Sequence, residues 1–272
     1  MKKTSSIYKL LILVILVAIA GYFIFQELKQ KNHISKPLFI AHASGGINGL
    51  TYLNSLETLN YNYQLGHRYF EVDFSWTQDD ELVLIHDWKL SYNRLFGNNT
   101  QIAPTEEQFL NMKMNFDQTQ LSLKQFAQWL LNHPGAILVA DIKKHNLKGL
   151  KKMLETIEKP FKRIIPQVYH PRNYQKIKDL GFDNILFAMY NTRRPTEELL
   201  DFIKNKKLFA ISIKPKRKNF DAILNDIGNT DTFVYALIVN NPDEFSRLQS
   251  QGVDGTVTDF LYQKNNKILT QK

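Results

Sequence analysis

The chain has 272 residues, enough to bury a substantial core, and one large α/β domain fits that length as well as two small ones do. It carries 35 lysines and arginines against 26 acids, a formal charge of +9, which points to anionic partners such as nucleic acid or an anionic lipid surface. There is no cysteine, which excludes a disulfide framework, a thiolate nucleophile and a cysteine metal centre.

The amino terminus narrows the choice of partner. Ile7 to Phe25 is apolar apart from Tyr8, Lys9 and Tyr22, and the uncharged run Leu10 to Phe25 follows Lys2, Lys3 and Lys9. That run is short for an ideal membrane span and long for the core of a cleaved signal. Ala18-Ile19-Ala20 resembles a small-residue cleavage site, but Tyr22 to Phe25 stays apolar beyond it, which favours a retained signal anchor over residues 1–25. Lys29, Lys31 and Lys36 nearly balance the lysines before the span, so charge does not orient it. By analogy with export signals, the body is expected on the extracytoplasmic, periplasmic side, tethered through a polar linker at 26–36. No nucleic-acid partner is expected, because the basic residues are scattered and an export-type anchor precedes them.

From Pro37 onward the chain reads as a single domain, 37–272. A strand over Leu38 to Ala41 ends in His42, and the glycine-rich run ASGGINGL after it would let backbone lie close to a ligand. Helical spacing covers Asn54 to Leu65 and stops at Gly66. Tyr69 to Trp76 then alternates, with Phe70, Val72 and Phe74 on one face and Glu71, Asp73 and Ser75 on the other. Glu71 and Asp73 are two strand rises apart, roughly 7 Å, close enough to share one hard cation. A second strand, Glu81 to Ile85, runs into His86 and Asp87 after a connection too short for a crossover, so a hairpin turning on Asp79 and Asp80 is expected. Counted outward from that turn, Phe74 pairs with Ile85 and Asp73 with His86, which sets an imidazole beside the carboxylates.

Lys89 to Gln120 is polar, with a helix start at Pro104-Thr105-Glu106-Glu107, and reads either as a lid or as a long connection. An amphipathic helix follows over 121–131, then a buried strand over 136–140 leading to Asp141-Ile142-Lys143, whose two charged residues share a face. Helices over 147–158, 171–180, 196–205, 217–227 and 242–251 then alternate with strands over 163–168, 184–189, 208–213, 233–239 and 254–257. This spacing argues for a closed (β/α)8 TIM-type barrel preceded by an N-terminal transmembrane helix. In such barrels the chemistry lies at the carboxyl ends of the strands, where His42, Glu71, Asp73, Asp141 and Lys143 all fall.

These residues resemble the glycerophosphodiester phosphodiesterase family, within the phosphatidylinositol-specific phospholipase C-like superfamily. The resemblance is carried by His42, Gly66, Glu71-Val72-Asp73, Thr77-Gln78-Asp79-Asp80, Ile85-His86-Asp87 and the closing segment Val239-Asn240-Asn241-Pro242 with Gly252 to Asp259. Three positions depart from the family pattern. Ala43 replaces the usual Arg, Leu53-Asn54-Ser55 stands where Glu-Asn-Thr is usual, and Asp141 replaces a later Glu. The resemblance implies a metal-dependent phosphodiesterase acting on glycerophosphodiesters or a phospholipid headgroup. Glu71, Asp73 and Asp141 would hold Mg2+ or Ca2+, the hard cations that oxygen ligands favour. His42 and His86 would be the catalytic acid and base, since imidazole titrates near neutrality. Lys143 and Asn54 would contact the substrate, Lys143 through its positive charge and Asn54 as the nearest polar substitute for the missing acid. The alternative is a catalytically degenerate barrel that binds anionic lipid or envelope polymer, motivated by Ala43 and Leu53.

Overall fold

The computed structural model describes Val14, Ile15 and residues 34–192, 194–228 and 230–271. All but two residues of the expected anchor, and most of the linker, lie outside the described residues. Among the described residues no helix is long and apolar enough to cross a membrane. Lys36–Lys272 forms one compact unit, and it is the unit described below.

Alternation of apolar and polar residues becomes strand wherever one face can be buried. In β2 (Tyr69–Trp76), Phe70, Val72 and Phe74 join a large apolar layer between the sheet and its surrounding helices, which leaves Glu71, Asp73 and Ser75 on the inner face. The same pattern recurs along the chain. With β1 (Phe39–Ala41), β4 (Ile137–Ile142), β5 (Ile164–Val168), β6 (Leu186–Ala188), β7 (Ala210–Ile213), β8 (Phe233–Leu237) and β9 (Gly255–Thr258), it builds a ring of parallel neighbours. The main sheet has nine strands; one of them, β3 (Leu82–Leu84), lies antiparallel outside β2, and the other eight close through β1–β2 and β1–β9. This is the expected (β/α)8 barrel. Three of its helices begin on capping boxes built by Ser55, Thr105 and Ser122, the second at the start predicted beside Pro104.

Three local expectations are corrected. The hairpin pairs Phe74 with Leu84 and Trp76 with Leu82, one residue out of the expected register. Thr77 N–H donates to Glu81 O across a loop of three residues, with Asp80 left-handed at φ 60°, so the turn is the longer type with an odd count. An odd loop shifts every partner by one, and Ile85 rather than His86 lies against Asp73, through Ile85 N–H and Asp73 O at 3.1 Å. The stretch Lys89 to Gln120 is neither a bare connection nor an open flap. Its helices Leu90–Phe96 and Glu106–Asn111 pack Tyr92 and Phe109 with Val83 and Ile85 into a small core of their own beside β3. In the glycine run, a Cβ on Gly45 would meet the Asn62 amide at 2.4 Å and one on Gly46 the Phe260 ring at 2.3 Å. Those two glycines therefore serve close packing inside the protein.

A C-terminal hairpin, β10 (Leu261–Lys264) with β11 (Lys267–Thr270), follows the last barrel strand. Sequence periodicity did not reveal it, because only Leu261 of its eight residues is buried and the rest carry no apolar alternation.

Candidate active site

Parallel register sets Asp73 directly opposite Asp141, and Glu71 opposite Val139, on the inner face of the barrel. Adjacent strands are about 4.8 Å apart, so pairing alone brings two carboxylates side by side. Ligand oxygens of Glu71, Asp73 and Asp141 all lie within 4.8 Å of one another. Each carboxylate is held by a donor at one oxygen. Ala43 N–H donates to Glu71 Oε2 at 2.8 Å, Asn54 Nδ2 to Asp73 Oδ2 at 2.9 Å, and the Tyr169 hydroxyl to Asp141 Oδ1. The opposite oxygens of Asp73 and Asp141 meet at Lys143, whose Nζ lies 2.7 Å from both Asp73 Oδ1 and Asp141 Oδ2, and Glu71 Oε1 faces Gln167 Nε2 at 3.5 Å.

That donor set fits a divalent cation. It consists of hard oxygens only, each ligand is oriented by a second group, and three buried carboxylates exceed the one ammonium that faces them. The imbalance shows in the titrations. Burial, then the neighbouring Asp73, push Glu71 up to about 8. Burial also raises Asp141 in spite of Lys143. Asp73 is held below the usual carboxylate range, because Lys143, His86 and His42 outweigh the effect of burial. Lys143 is itself stabilised as the cation by Asp73 and Asp141, against the cost of burial.

The two histidines are built alike. His42 Nδ1 meets Asp259 Oδ1 at 2.8 Å and His86 Nδ1 meets Asp87 Oδ2 at 2.8 Å. A carboxylate only accepts, so Nδ1 carries the hydrogen, and Nε2 has no partner among the described residues. Asp259 is itself held by Asn240 Nδ2 at 2.7 Å, and Asp87 caps the amides of Lys89 and Leu90. Burial lowers the pKa of His42, but the Asp259 hydrogen bond and the charges of Glu71, Asp259 and Asp73 raise it above its ordinary value overall. Tyr52 stands edge-on to both rings, with centroids 4.4 Å from His42 and 5.7 Å from His86, and its hydroxyl is pushed up to about 12 by burial and the nearby acids.

His42, Glu71, Asp73, His86, Asp141 and Lys143 thus line one cavity of about 490 Å3. Asn54, expected at the substrate, is fully buried behind the metal-type cluster. Its amide donates to Asp73 Oδ2 and its carbonyl accepts Asp73 N–H at 3.0 Å, so it orients a carboxylate and does not line the cavity. Ala43 is likewise buried, and its contribution is the backbone N–H on Glu71. Tyr52, Tyr169, Tyr190 and Ser212 also line the cavity and were not singled out from sequence. Tyr169 and Ser212 could have been reached by asking what stands at or just past the carboxyl end of each later strand; Tyr52 sits in an irregular loop and gave no signal. Asp259 lies in the closing segment, where the local sequence gives it no role. Gln167 and Lys214 reach the cavity, whereas His170 lies against Arg194 outside it.

Residues 46–262 match the profile of the glycerophosphoryl diester phosphodiesterase family. No curated protein matches the chain. Among solved structures, a glycerophosphodiester phosphodiesterase from Thermotoga maritima superposes with a TM-score of 0.64 at 19% identity, covering 84% of this chain and 96% of that one. One from Parabacteroides distasonis gives 0.63 at 17% identity, covering 83% and 94%. An Oleispira antarctica phosphodiesterase, solved in complex with the product sn-glycerol-3-phosphate, gives 0.65 at 18% identity, covering 82% and 93%. These likenesses show the shared barrel.

Proposed function

The chain belongs to the glycerophosphoryl diester phosphodiesterase family and is a phosphoric diester hydrolase of that kind, and we propose that it cleaves glycerophosphodiesters or a phospholipid headgroup with the help of a divalent cation. The observation that carries this reading is the pairing of two aspartate-held imidazoles, each with an Nε2 that has no partner among the described residues, over one cluster of three carboxylates.

A phosphodiester is a stable anion, so the site must offset charge on the phosphoryl oxygens and protonate the departing alkoxide. Glu71, Asp73 and Asp141 would hold a magnesium or calcium ion, which would supply the first of these as a Lewis acid. Lys143 adds a fixed ammonium on the same cluster. The neutral imidazole takes the proton of the attacking hydroxyl on its Nε2 lone pair, and the protonated imidazole returns one to the leaving alkoxide. Asp259 and Asp87 fix both rings through Nδ1, so that neither turns away as its charge changes. With a neighbouring hydroxyl on the substrate as nucleophile the first product is a cyclic phosphate, which the same pair can open with water.

Replacing His86 with Ala is expected to abolish metal-dependent hydrolysis of glycerophosphocholine and to leave the melting temperature unchanged. Full turnover by that variant, or turnover indifferent to chelator, would refute the assignment, and binding of anionic lipid without any turnover would favour the degenerate-barrel reading. The apolar run at 10–25 supports a further element of the proposal, that the barrel is anchored to a membrane on its extracytoplasmic side. Release of the full chain into the soluble fraction after cell lysis would remove it.

A further inference from the structure

A second chamber, of about 530 Å3, opens beside the catalytic cavity and shares His86 and Lys143 with it. Its walls come from the end of β2, from the segment after β4 and from the Lys89-to-Gln120 insertion. Trp76 and Trp88 are fixed by their edges. Trp76 Nε1 donates to Lys144 O and Trp88 Nε1 to Trp76 O, each at 2.7 Å, which leaves ring surface to form wall. Two acids also line the chamber, and both are engaged locally. Asp80 Oδ1 accepts Lys148 Nζ at 2.8 Å, and Asp87 is engaged by His86, Ser91 and backbone amides. Lys89 and Lys144 have no ion-pair partner among the described residues, and with Asp80 paired to Lys148 these two ammoniums face the single carboxylate of Asp87, so the chamber carries an excess of positive charge. The far end of the catalytic cavity differs: there the buried Ser212 Oγ has no hydrogen-bond partner among the described residues, which suits a hydroxyl, and a single lysine stands beside it in the lining. Lys214 is the cation at that end, and it lies over the Tyr190 ring.

The geometry points to a directional substrate. One arm of the diester, bearing hydroxyls, lies toward Ser212, and the other passes His86 into the second chamber and carries a second anionic group there, held by Lys89 and Lys144. The inference rests on the phosphodiesterase reading and narrows its substrate class to diesters with an anionic arm. Phosphate is the natural probe, because a lysine ammonium recognises it as a point charge without bidentate geometry.

Three diesters with the same scissile linkage test this: glycerophosphoglycerol, its terminal phosphate ester, and glycerophosphocholine, whose arms are neutral, anionic and cationic. The expected order of kcat/KM is anionic, then neutral, then cationic, with about a tenfold step between the first two that shrinks as salt is raised. The double variant K89E/K144E should lower the anionic-to-neutral ratio about tenfold, through KM rather than kcat. Calorimetric binding to H42A, whose altered residue does not line the chamber, should give the same order without turnover. Equal or reversed ranking, or a ratio untouched by the double variant, would overturn the inference while leaving the hydrolase standing. Absence of turnover of all three by the wild-type protein would instead strike the underlying reading, and the binding order would still decide for or against the chamber.

Discussion

The contact between His42 and Asp259 is the sharpest place to perturb the site, because Asp259 touches neither the carboxylate cluster nor the second chamber. The bond is 2.8 Å long between side chains only 8% and 6% exposed, so solvent screens it little. Hydrogen bonds to a charged partner contribute about 1.5–3 kcal/mol. Asp259→Asn keeps the shape but cannot satisfy both neighbours while His42 keeps its hydrogen on Nδ1, the tautomer that leaves Nε2 free to act as base. Asn240 Oδ1 is already held by Thr258 Oγ1 at 2.9 Å and by Asp259 N–H at 2.8 Å, so Asn240 keeps its Nδ2 turned toward the new amide. Either the amide oxygen faces Asn240, which presents a donor to His42, or it faces His42, which sets two donors together. A loss of that size in the transition state lowers kcat/KM by about 10- to 100-fold. The pH profile adds a signed readout. Burial lowers the pKa of His42, and it is the Asp259 contact and surrounding charge that raise it above 6.5. Removing the charge therefore shifts the limb that His42 controls to lower pH. If His42 acts as base the acid limb moves, and if it acts as acid the alkaline limb moves. Steady-state kinetics from pH 5 to 9 with a glycerophosphodiester would measure both effects. A variant with kcat/KM within about threefold of wild type and an unmoved profile would refute the argument.

Lys143→Met leaves Asp73 and Asp141 facing each other without their ammonium, and the protein without added metal should lose up to about 3 kcal/mol in chemical denaturation, part of it restored by magnesium or calcium. Restoration by neither ion, with full loss of stability, would argue that the cluster is only an ion pair. Asn54→Ala removes the groups that hold Asp73, so about 1–3 kcal/mol of stability and a 10- to 100-fold weaker divalent-ion affinity are expected by calorimetry.

The barrel was legible because its signal is local and repeated: each strand is a short apolar run with its chemistry at the carboxyl end, and each helix has its own spacing. The central site was legible for the same reason. Glu71 and Asp73 share a face by period two, Asp141 follows its own strand, and each histidine terminates an apolar run. What escaped was set by contacts distant in sequence. Asp259 lies 217 residues from His42, and nothing within its own segment indicates an imidazole partner. Asn54 was assigned by position to substrate, yet whether an amide faces ligand or a neighbouring carboxylate depends on where its loop folds. The hairpin register failed through one residue of loop length, which no side-chain periodicity records.

The departures from the family pattern at Ala43 and Leu53 become intelligible together. An acid is lost at one position and a cation at the other, so the formal charge of the site is unchanged by the pair. The space is not left empty. Leu53 packs with Leu95 and Met114, and Leu95 belongs to the helix Leu90–Phe96 of the insertion, so the apolar residue at 53 is what lets that helix seat beside the site. Leu53→Glu tests this. Leu53 is 0% exposed, and a carboxyl there would have Leu95 and Met114 as neighbours, while Arg94 beside it is already engaged by the carbonyls of Thr51 and Tyr52. Its folded pKa would rise above 7 while the unfolded value stays near 4.3, a cost of about 3–4 kcal/mol at pH 7. Because the folded state then binds the proton more tightly, the stability deficit grows as pH rises from about 4.3 toward the folded pKa, so the variant should be closer to wild type at pH 5 than at pH 7. A melting temperature equal to wild type at both pH values would show that Leu53 does not seat the insertion, and that the missing acid reflects some other constraint.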